Sequence, residues 1–420
     1  MAHAHQVVIV GGGLGGLTAA LALRQRGVDV VVLEQAAELG EIGAGIQTAP
    51  NASRILIRLG LRKKLEAIRT EPQDQVRRRW RDGSIIASKP LGLAVQEAYG
   101  APYWHYHRAD LHRALLDGCL DPSGAGPAVR FEVNSCVTHI DTSDELRPSA
   151  VTAAGHRHTA DVLVGADGIN SAVRHLMGAP DTLMFAGEMA YRALIPGKSL
   201  LDDPATRFLF DRFHSTIWYG PDRHLVHYVI RRGQYLNVVA IVPATSPEDR
   251  TRRGPVSVEE LASSFPDWDD RVPAILSKAE DNVTIWPMHH MRPDPRWING
   301  RVVLLGDACH AMLPYQAQGA SQAMEDAAVL AEEVGNVTKD GIDGALVRYG
   351  NRRAIHAGLV QSASFENKRL YHLPDGEEQE ARDAKLRSFE GESELSYDWL
   401  WRGTPLTDRE GEGFHYAFPR

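Results

Sequence analysis

Cysteine is scarce in this sequence: its 420 residues contain only three, at Cys119, Cys136 and Cys309. They are too few and too scattered for a disulfide framework, and no two of them have the CxxC spacing of a metal or redox site. The chain therefore suits a reducing compartment, and we expect a cytoplasmic protein. No convincing set of metal ligands appears either, because His289 and His290 are adjacent and cannot share one face of a strand.

Long hydrophobic runs and an excess of positive charge are also missing. No stretch of 18 apolar residues occurs, and no charged leader with a cleavage site precedes the first apolar strand, so we expect no membrane partner. The formal net charge of -8 at pH 7 argues against a nucleic-acid partner. The length allows two domains, or one domain interrupted by another.

A glycine-rich stretch near the N-terminus carries the strongest signal. Four apolar residues, Val7–Val10, precede Gly11, Gly13 and Gly16, which match G-x-G-x-x-G. The first glycine allows a tight turn, the second lets a pyrophosphate approach the backbone, and the third lets the helix pack on the strand. The helix that follows would point its free N–H groups at the phosphates.

A second apolar strand, Val28–Leu33, ends in Glu34. An acidic side chain at this place should accept the hydrogen bonds of an adenosine ribose, and it would repel a 2′-phosphate. The sequence therefore predicts a site for FAD or NAD(H) rather than NADP(H). The alternative is a glycine-rich turn of an unrelated α/β protein, and the ordered series of strand, turn, helix, strand and acid argues against it.

Two later segments repeat the pattern of a buried strand that runs into a small-residue turn. One leads to Gly165–Gly168 and its carboxylate Asp167, with Ser171 as the cap of a short helix. The other leads to Gly306 and Asp307 before a long helix.

The sequence between these two segments has a different pattern. Alternating apolar residues predict strands at Met189–Ile195, Arg207–Phe213, Ser215–Gly220, Leu225–Ile230 and Asn237–Val242. We therefore predict an α/β fold: a discontinuous Rossmann-like FAD-binding domain (residues 1–180 and 285–370) with an inserted, mainly antiparallel substrate-binding sheet (181–284). Residues 371–420 are predicted to form a C-terminal surface helix and a tail. The tail aromatics Tyr397, Trp399 and Trp401 should anchor it on the body or on a partner subunit, so a homodimer is an expectation.

Two residue groups between the first and second strand–turn segments have alternative interpretations. Ala44 and Gly45 belong to a small-residue loop, which is either a wall against a flat cofactor ring or a simple connecting turn. Arg108 follows an aromatic strand end. It would either bind a phosphate or flavin edge, or form an ion pair with Asp110.

The three strand–turn motifs in this order resemble a known family. G-G-G-L-G-G with Glu34, then G-A-D-G, then G-D followed by H-A-M-L-P are similar to single-component FAD-dependent aromatic hydroxylases of the para-hydroxybenzoate hydroxylase class. The resemblance is greatest to the salicylate hydroxylase, 3-hydroxybenzoate 6-hydroxylase and 6-hydroxynicotinate 3-monooxygenase branch, and it covers residues 5 to about 370. It implies that NADH or NADPH, bound transiently, reduces FAD. O2 then forms a flavin C4a-hydroperoxide that hydroxylates a small phenolic aromatic acid.

The resemblance also assigns cofactor contacts to residues at the strand ends and beside them. They are Gly11, Gly13, Leu14, Gly15, Gly16, Glu34, Gln35, Ala44, Gly45, Ile46, Arg108, Val137, Asp167, Asp307, Pro314, Gly319 and Ala320. Asp167 would lie near the pyrophosphate and the nicotinamide route, and Asp307 would bind ribityl or ribose hydroxyls. Pro314, Gly319 and Ala320 would line the flavin, with a helix N-terminus aimed at its N1–C2=O edge.

Relatives in this class carry a His and a Tyr four positions apart on a central strand, and His224 with Tyr228 match this spacing. Positions i and i+4 of a strand share a face. His224 could then accept the proton of a phenol and make the ring electron-rich. The alternative for His224 is a core histidine with a satisfied partner. His227 would face the other side and is expected to be structural.

Two sequence features favour different positions of hydroxylation on the substrate ring. Leu313-Pro314-Tyr315 resembles the salicylate type, since 3-hydroxybenzoate 6-hydroxylases carry Gln-Tyr there; this favours a salicylate-like substrate, with or without loss of its carboxylate. The pair His224 and Tyr228 favours the 3-hydroxybenzoate or 6-hydroxynicotinate type. An FAD oxidase and a non-catalytic flavin sensor are the remaining alternatives, and Glu34 does not distinguish NADH from NADPH as reductant.

Overall fold

The computed structural model describes residues 5–40, 44–280, 282–388 and 398–403. The strands of these residues are β1 (Gln6–Val10), β2 (Asp29–Leu33), β3 (Gly45–Thr48), β4 (Asp74–Arg79), β5 (Ile85–Pro90), β6 (Trp104–His107), β7 (Arg130–Glu132), β8 (Val137–Asp141), β9 (Ser149–Thr152), β10 (Arg157–Thr159), β11 (Val162–Gly165), β12 (Leu183–Pro196), β13 (His214–Gly220), β14 (Arg223–Ile230), β15 (Tyr235–Pro243), β16 (Gly254–Val256), β17 (Val283–Met291), β18 (Ile298–Asn299) and β19 (Val302–Leu304). The helices are α1 (Leu14–Arg24), α2 (Pro50–Arg58), α3 (Arg62–Ile68), α4 (Gly92–Tyr99), α5 (Arg108–Leu120), α6 (Ala172–Leu176), α7 (Gly197–Leu201), α8 (Val258–Ser263), α9 (Arg271–Leu276), α10 (Asp307–His310), α11 (Gly319–Gly335), α12 (Ile342–Tyr371), α13 (Glu377–Ser388) and α14 (Asp398–Arg402).

The three strand–turn segments of the sequence meet in one sheet. Its strand order is β18-β19-β11-β1-β2-β7, and all neighbours are parallel except the edge strand β18. Val7–Val10 are buried in a strand that has neighbours on both sides, as a nearly continuous apolar run predicts. The carboxyl ends of β1, β2, β11 and β19 therefore lie side by side at one edge, which is where an α/β sheet binds its ligands. The predicted Rossmann-like class is confirmed.

A second, larger sheet has the order β16-β17-β12-β15-β14-β13-β4-β5 and is mainly antiparallel. One of its faces packs on α8 and α9 through an apolar cluster that includes Trp218, Leu225 and Val229. Because side chains alternate along a strand, His224 and Tyr228 lie on the opposite face of β14.

The structure differs from the predicted domain division at residues 74–90. These residues form β4 and β5 and join the larger sheet, where β4 pairs in parallel with β13 in the register Asp74 to His214. The predicted division placed the whole of 1–180 in the cofactor domain. The period of a strand indicates which side chains share a face, but it does not indicate which sheet the strand joins.

The strand predicted at Arg207–Phe213 is wrong. Arg207–Phe210 form a 3-10 turn, because the preceding segment makes its hydrogen bonds locally. The Thr206 hydroxyl donates to the Leu200 carbonyl oxygen at 2.7 Å, and the Leu209 N–H donates to the Thr206 carbonyl oxygen.

The C-terminal helices pack on the body of the protein. Trp401 of α14 contacts the rings of Tyr99 and Tyr103, and Leu400 is buried in the same cluster. The tail is thus anchored on its own chain through Trp401, whereas Tyr397 lies outside the described residues. Among those residues, no helix combines the length and the apolar character needed to cross a membrane.

Candidate active site

In the glycine-rich turn after β1, the backbone segments approach so closely that Gly11 and Gly16 leave no room for a side chain. Gly11 has φ +107°, and a Cβ there would lie 2.4 Å from the carbonyl oxygen of Ala166. A Cβ on Gly16 would lie 2.1 Å from the carbonyl oxygen of Gly11. The first contact places the turn at 165–168, with the backbone of Asp167, directly against the glycine-rich turn. The backbone can therefore approach a pyrophosphate closely.

The N-terminus of α1 has the features of an anion site. Gly13 is its N-cap and provides no side-chain cap, and the first turn contains no acidic residue. Leu14 is buried in the core, and a Cβ on Gly15 would lie 2.8 Å from the Leu305 side chain. The free N–H groups and the helix dipole thus remain available to a phosphate.

Glu34 follows β2 and is fixed next to this turn. Its Oε2 accepts a hydrogen bond from the Gly12 N–H and its Oε1 accepts one from the Ala36 N–H, both at 2.8 Å. Each carboxylate oxygen has a further lone pair that can accept a ribose hydroxyl. Gln35 is exposed beside it.

The residues predicted to meet the flavin lie where β19 leads into α10 and α11. Asp307 is exposed, and a Cβ on Gly319 would lie 3.9 Å from its Oδ1. Helix α11 begins at Gly319 and Ala320 without a side-chain cap or an acidic residue in its first turn. Among the described residues, Gln318 Nε2 and Ser321 Oγ are buried here and have no partner.

Unpartnered buried polar atoms are rare in proteins and indicate a missing ligand or water. At the N-terminus of α11 they accompany free backbone N–H groups, which suit the polar edge of a flavin. The turn, Glu34 and this helix end therefore fit FAD, although the individual contacts stay predictions.

β3 and β6, which are far apart in the sequence, form a two-stranded antiparallel sheet that packs against the larger sheet. A Cβ on Gly45 would lie 2.5 Å from Asn237 Cγ and 2.7 Å from Tyr228 Cε2, so only glycine allows this approach. The N–H of Arg108 donates to the Ala44 carbonyl oxygen at 2.8 Å. The side chain of Ile46 is buried in the core, so a cofactor contact would involve its backbone.

The carboxylate of Asp110 is held by another arginine. Arg231 Nε and one terminal nitrogen donate to its two oxygens at 2.8 and 2.6 Å. The structure thus gives Asp110 a bidentate partner other than Arg108.

The side chains of Asp167 and Val137 are both engaged within the protein. The Asp167 carboxylate accepts hydrogen bonds from the Ser171 hydroxyl and the Val173 N–H, and Ser171 caps α6 as predicted. Val137 is buried in the core. A cofactor contact of Val137 would therefore involve its backbone.

A cavity lies between the larger sheet and the 3-10 turn Pro314–Gln316. Its polar lining comes from Gln47, Gln75, Ser215, His224 and Gln316, and its aromatic and apolar walls come from Tyr103, Ile217, Val226, Pro314, Tyr315, Ala317, Tyr371 and Trp401.

His224 lines this cavity, and its ring is held from behind. Its Nδ1 lies 2.8 Å from Nε2 of His372, which leaves Nε2 of His224 for a ligand. Burial and the neighbouring His372 lower the pKa of His224 well below its usual value. The imidazole is therefore neutral at pH 7 and can accept a proton.

Tyr228 shares the face of His224, as predicted, but it is not among the residues that line the cavity. It packs on Gly45 and on the His105 ring, whose centroid lies 4.5 Å away, and burial raises its pKa. A direct catalytic role of Tyr228 stays a prediction. His227 faces the other side, where its Nε2 accepts a hydrogen bond from Trp218 Nε1 at 3.1 Å.

The partners of the cavity residues are not among the residues predicted from the sequence. Glu188 of β12 accepts a hydrogen bond from the Tyr315 hydroxyl at 2.8 Å, and His372 follows α12. An acidic residue inside a mainly apolar strand was the one signal for Glu188. Trp401 was assigned to tail anchoring alone, whereas the structure also makes it a cavity wall.

A cluster of buried charged residues lies beneath the N-terminal half of α11. Cys309, His310 and Asp326 bring potential metal-ligand atoms within 4.8 Å of one another. Arg353 Nε, however, donates to Asp326 Oδ1 at 2.6 Å, and another of its nitrogens donates to Glu325 at 2.9 Å. The arginine neutralises the carboxylate that a metal would need, so the cluster is a buried ion-pair network.

Comparison with known proteins identifies the family. The family model described as FAD binding domain matches residues 4–364. A 3-amino-4-hydroxybenzoate 2-monooxygenase of Streptomyces platensis is 38% identical over 410 residues, which are 97% of this chain and 98% of that protein. A 3-hydroxybenzoate 6-hydroxylase of Aquipseudomonas alcaligenes is 35% identical over 377 residues, covering 89% and 91% of the two chains.

Solved structures agree with these relatives. A salicylate hydroxylase substrate complex superposes with a TM-score of 0.77 at 26% identity and covers 95% of each chain. Klebsiella pneumoniae HpxO, complexed with FAD and uric acid, has a TM-score of 0.77 at 25% identity and covers 94% of this chain and 95% of its own. The chain therefore belongs to the FAD-binding-domain family and is an FAD-dependent monooxygenase of the aromatic hydroxylase class.

Proposed function

We propose that this enzyme hydroxylates a small phenolic aromatic acid, with NADH or NADPH and O2 as co-substrates. The observation that carries the proposal is the neutral His224, held by His372 and facing the cavity beside the cofactor cleft. Bound FAD supplies the electron carrier that the nicotinamide reduces and that activates O2. The protein must bind the acid, activate its ring and keep water away.

His224 activates the ring by removing the phenolic proton. Nε2 is the ring nitrogen that remains for the substrate, and the imidazole is neutral at pH 7. A phenolate donates electron density to its ortho and para carbons, which are the positions that an electrophilic oxygen attacks. Proton transfer of this kind contributes about 10²–10⁴-fold to a rate.

Two glutamine amides are suited to bind the carboxylate. Arg77 donates to Gln75 Oε1 at 3.0 Å, and the Tyr103 hydroxyl donates to Gln47 Oε1. With each oxygen taken by a donor, Nε2 is the remaining donor atom of both amides, given this amide assignment. The Gln47 side chain also hydrogen-bonds Tyr228, so Gln75 has the freer Nε2 for an anion.

The walls of the cavity fit a flat ring and limit water. Tyr103, Tyr371 and Trp401 supply aromatic surface, and Ile217 and Val226 supply aliphatic surface. Excluding water matters because a reactive oxygen species in the site is otherwise lost as hydrogen peroxide.

The choice among acids rests on two kinds of support. The amino-hydroxybenzoate monooxygenases match nearly the whole chain, which makes 3-amino-4-hydroxybenzoate the first substrate to try. Leu313-Pro314-Tyr315 favours a salicylate-like acid, with or without loss of the carboxylate, and 3-hydroxybenzoate and 6-hydroxynicotinate are the substrates named for other relatives.

The test is to measure NADH and NADPH oxidation by the purified yellow enzyme with each of these four acids. Hydroxylated product, CO2 and hydrogen peroxide are quantified in the same reactions. We expect one acid to stimulate nicotinamide oxidation and to yield product in near-equal amount. Oxidation that gives only peroxide would identify a non-substrate effector. No stimulation by a wide panel would favour the oxidase or the sensor.

The homodimer and the cytoplasmic location remain predictions. Trp401 packs on its own chain, which removes part of the argument that the tail aromatics need a partner subunit. Light scattering of the FAD-loaded protein decides the oligomeric state.

A further inference from the structure

A buried chain of three side chains leads from the cavity to the end of α12. His224 Nδ1 lies 2.8 Å from His372 Nε2, and His372 Nδ1 lies 3.3 Å from Glu188 Oε1. The side chains of His372 and Glu188 are 9% and 5% exposed. We call these three residues, contributed by β14, the end of α12 and β12, the proton chain.

Hydrogen-bonding rules give the proton chain a direction. An ionised Glu188 can only accept, so His372 Nδ1 donates to it. In the state with a neutral His372, its Nε2 accepts, so His224 donates from Nδ1 and has no proton on Nε2. The chain therefore presents a proton acceptor to the cavity.

The charge state of Glu188 agrees with this direction. Burial raises the pKa of Glu188, but the hydrogen bond from His372 and the charge of Lys368 outweigh burial and keep the pKa below its usual value. Glu188 is therefore an acceptor at neutral pH.

We propose that His372 and Glu188 carry the phenolic proton away from His224, a step that rests on the proposed function. The substrate O–H bond breaks as an N–H bond forms at His224 Nε2. The Nδ1–H bond of His224 breaks as an N–H bond forms at Nε2 of His372. The products are a phenolate, a neutral His224 and a His372 imidazolium paired with Glu188, so one proton moves and no electron is transferred.

Charged and polar groups from several elements pack around His372. Glu188 comes from β12, and its Oε2 lies 3.2 Å from Lys368 Nζ. Its carboxylate can therefore compensate positive charge on Lys368 and on His372. Tyr315 adds a neutral hydroxyl donor to Glu188, and Asp222 donates its backbone N–H to the His372 carbonyl oxygen at 3.1 Å. His372 is the C-cap of α12, where the helix dipole favours positive charge.

The far end of the proton chain is close to solvent. Residues 374–378 are exposed, and the Lys368 side chain is 29% exposed. A proton on His372 can leave at this turn without passing through the cavity. Without such an exit it would stay on His224, where burial disfavours the cation.

The test uses the FAD-loaded variant His372→Gln with the acid that the wild type hydroxylates. Glutamine keeps an acceptor for His224 but cannot carry a proton at pH 7. We expect kcat to fall about 10²-fold at pH 7 with KM changed less than about twofold. We also expect kcat to recover towards pH 9, because the acid then enters already ionised. The control His227→Gln alters a buried histidine on the other face and should keep the wild-type pH profile.

A second readout needs no turnover. The ultraviolet difference spectrum of the acid bound to oxidised enzyme reports the ionisation of its phenol. We expect the apparent pKa of the bound phenol to be at least about one unit higher in His372→Gln than in the wild type. Added imidazole should restore activity to His372→Ala, which a merely structural role would not allow.

The outcomes separate the two proposals. A wild type that hydroxylates, together with a His372→Gln variant of unchanged kcat and phenol ionisation, overturns the proton chain alone. The proton chain is likewise overturned if His372→Ala is slow and imidazole has no effect. A wild type that binds the acids without hydroxylating any of them overturns the proposed function, while the titration still reports on the chain. If His372→Gln does not retain FAD, Glu188→Gln replaces it and should shift both readouts in the same direction.

Discussion

His224 and His227 lie three positions apart on β14 and have different surroundings. His224 lines the cavity and is bonded to another histidine, whereas His227 packs in the apolar layer beneath the sheet against Trp218. Burial, with Arg78 nearby, lowers the pKa of His227 to about 3. Both rings are thus neutral at pH 7. His224 differs from His227 because its unbonded nitrogen, Nε2, is available in the cavity.

His224→Ala should leave FAD bound while product formation falls about 10²–10⁴-fold, because the substrate phenol then loses its proton acceptor. His227→Ala serves as the control. We expect it to lower the thermal midpoint of unfolding and to leave kcat nearly unchanged. Flavin absorbance and product yield are measured for both. Full product yield from His224→Ala would exclude the residue as the base.

Gly16 offers a test of the cofactor turn. In Gly16→Ala the new Cβ would lie 2.1 Å from the Gly11 carbonyl oxygen, so α1 must move away from the turn. We expect at least about a tenfold loss of FAD affinity, measured by flavin fluorescence during dilution. Gly40→Ala has no atom within 4 Å of its Cβ and is the matched control. Equal affinities in the two variants would contradict this account of the turn.

At the scale of elements, the five-residue helix α14 completes a cavity built by distant parts of the chain. Lys89 of β5 lies over the Trp401 ring at 4.2 Å, and Tyr99 packs against the same ring at a centroid distance of 5.3 Å. The C-terminal segment therefore lines the cavity as well as serving as an anchor.

Trp401→Ala should open the wall of the cavity. We expect KM for the acid to rise several-fold and a larger share of the nicotinamide oxidation to end as hydrogen peroxide, because water enters. Trp399→Ala is the control: Trp399 packs near His356 and does not line the cavity. The ratio of product to oxidised NADH is the measurement, and equal ratios in the two variants would remove Trp401 from the wall.

At the scale of the whole molecule, α11 and α12 are joined by a buried ion-pair network. Arg353 is fully buried and bonds to Asp326 and Glu325. Burial raises the pKa of Asp326, but His310 and Arg353 outweigh this and hold the pKa at about 2. Because this pKa is below the unfolded value, the carboxylate stabilises the fold above about pH 4, and the contribution is lost as the pH falls towards 2.

Arg353→Met should lower the free energy of unfolding by about 3–5 kcal/mol at pH 7.5, because two buried carboxylates lose their partner. In this variant burial raises the carboxylate pKa values, so the deficit should shrink at pH 5. Urea unfolding at the two pH values measures it. Arg348→Met breaks a half-exposed pair with Glu333 on the same helix pair and should cost less than about 1 kcal/mol. Similar losses in the two variants would contradict the network.

The sequence predicted those parts of the site that depend on local spacing. The turn at Gly11, the place of Glu34 and the shared face of His224 and Tyr228 all follow from short-range rules of strand and turn geometry. His372 and Glu188 could not be predicted in the same way. They meet His224 only because α12 ends beside the larger sheet, which is a property of tertiary packing.

The pairing of β4 with β13 also affects how the protein is made. The ribosome releases the strand at Asp74 long before its neighbour at His214, and at roughly 5–20 residues per second the delay is about ten seconds. During that time β4 and β5 have only each other, with an open hydrogen-bonding edge that another nascent chain could pair with. The clustered arginines of β4, at Arg77–Arg79, place positive charge on this edge and discourage such encounters while the newborn chain waits for its partner.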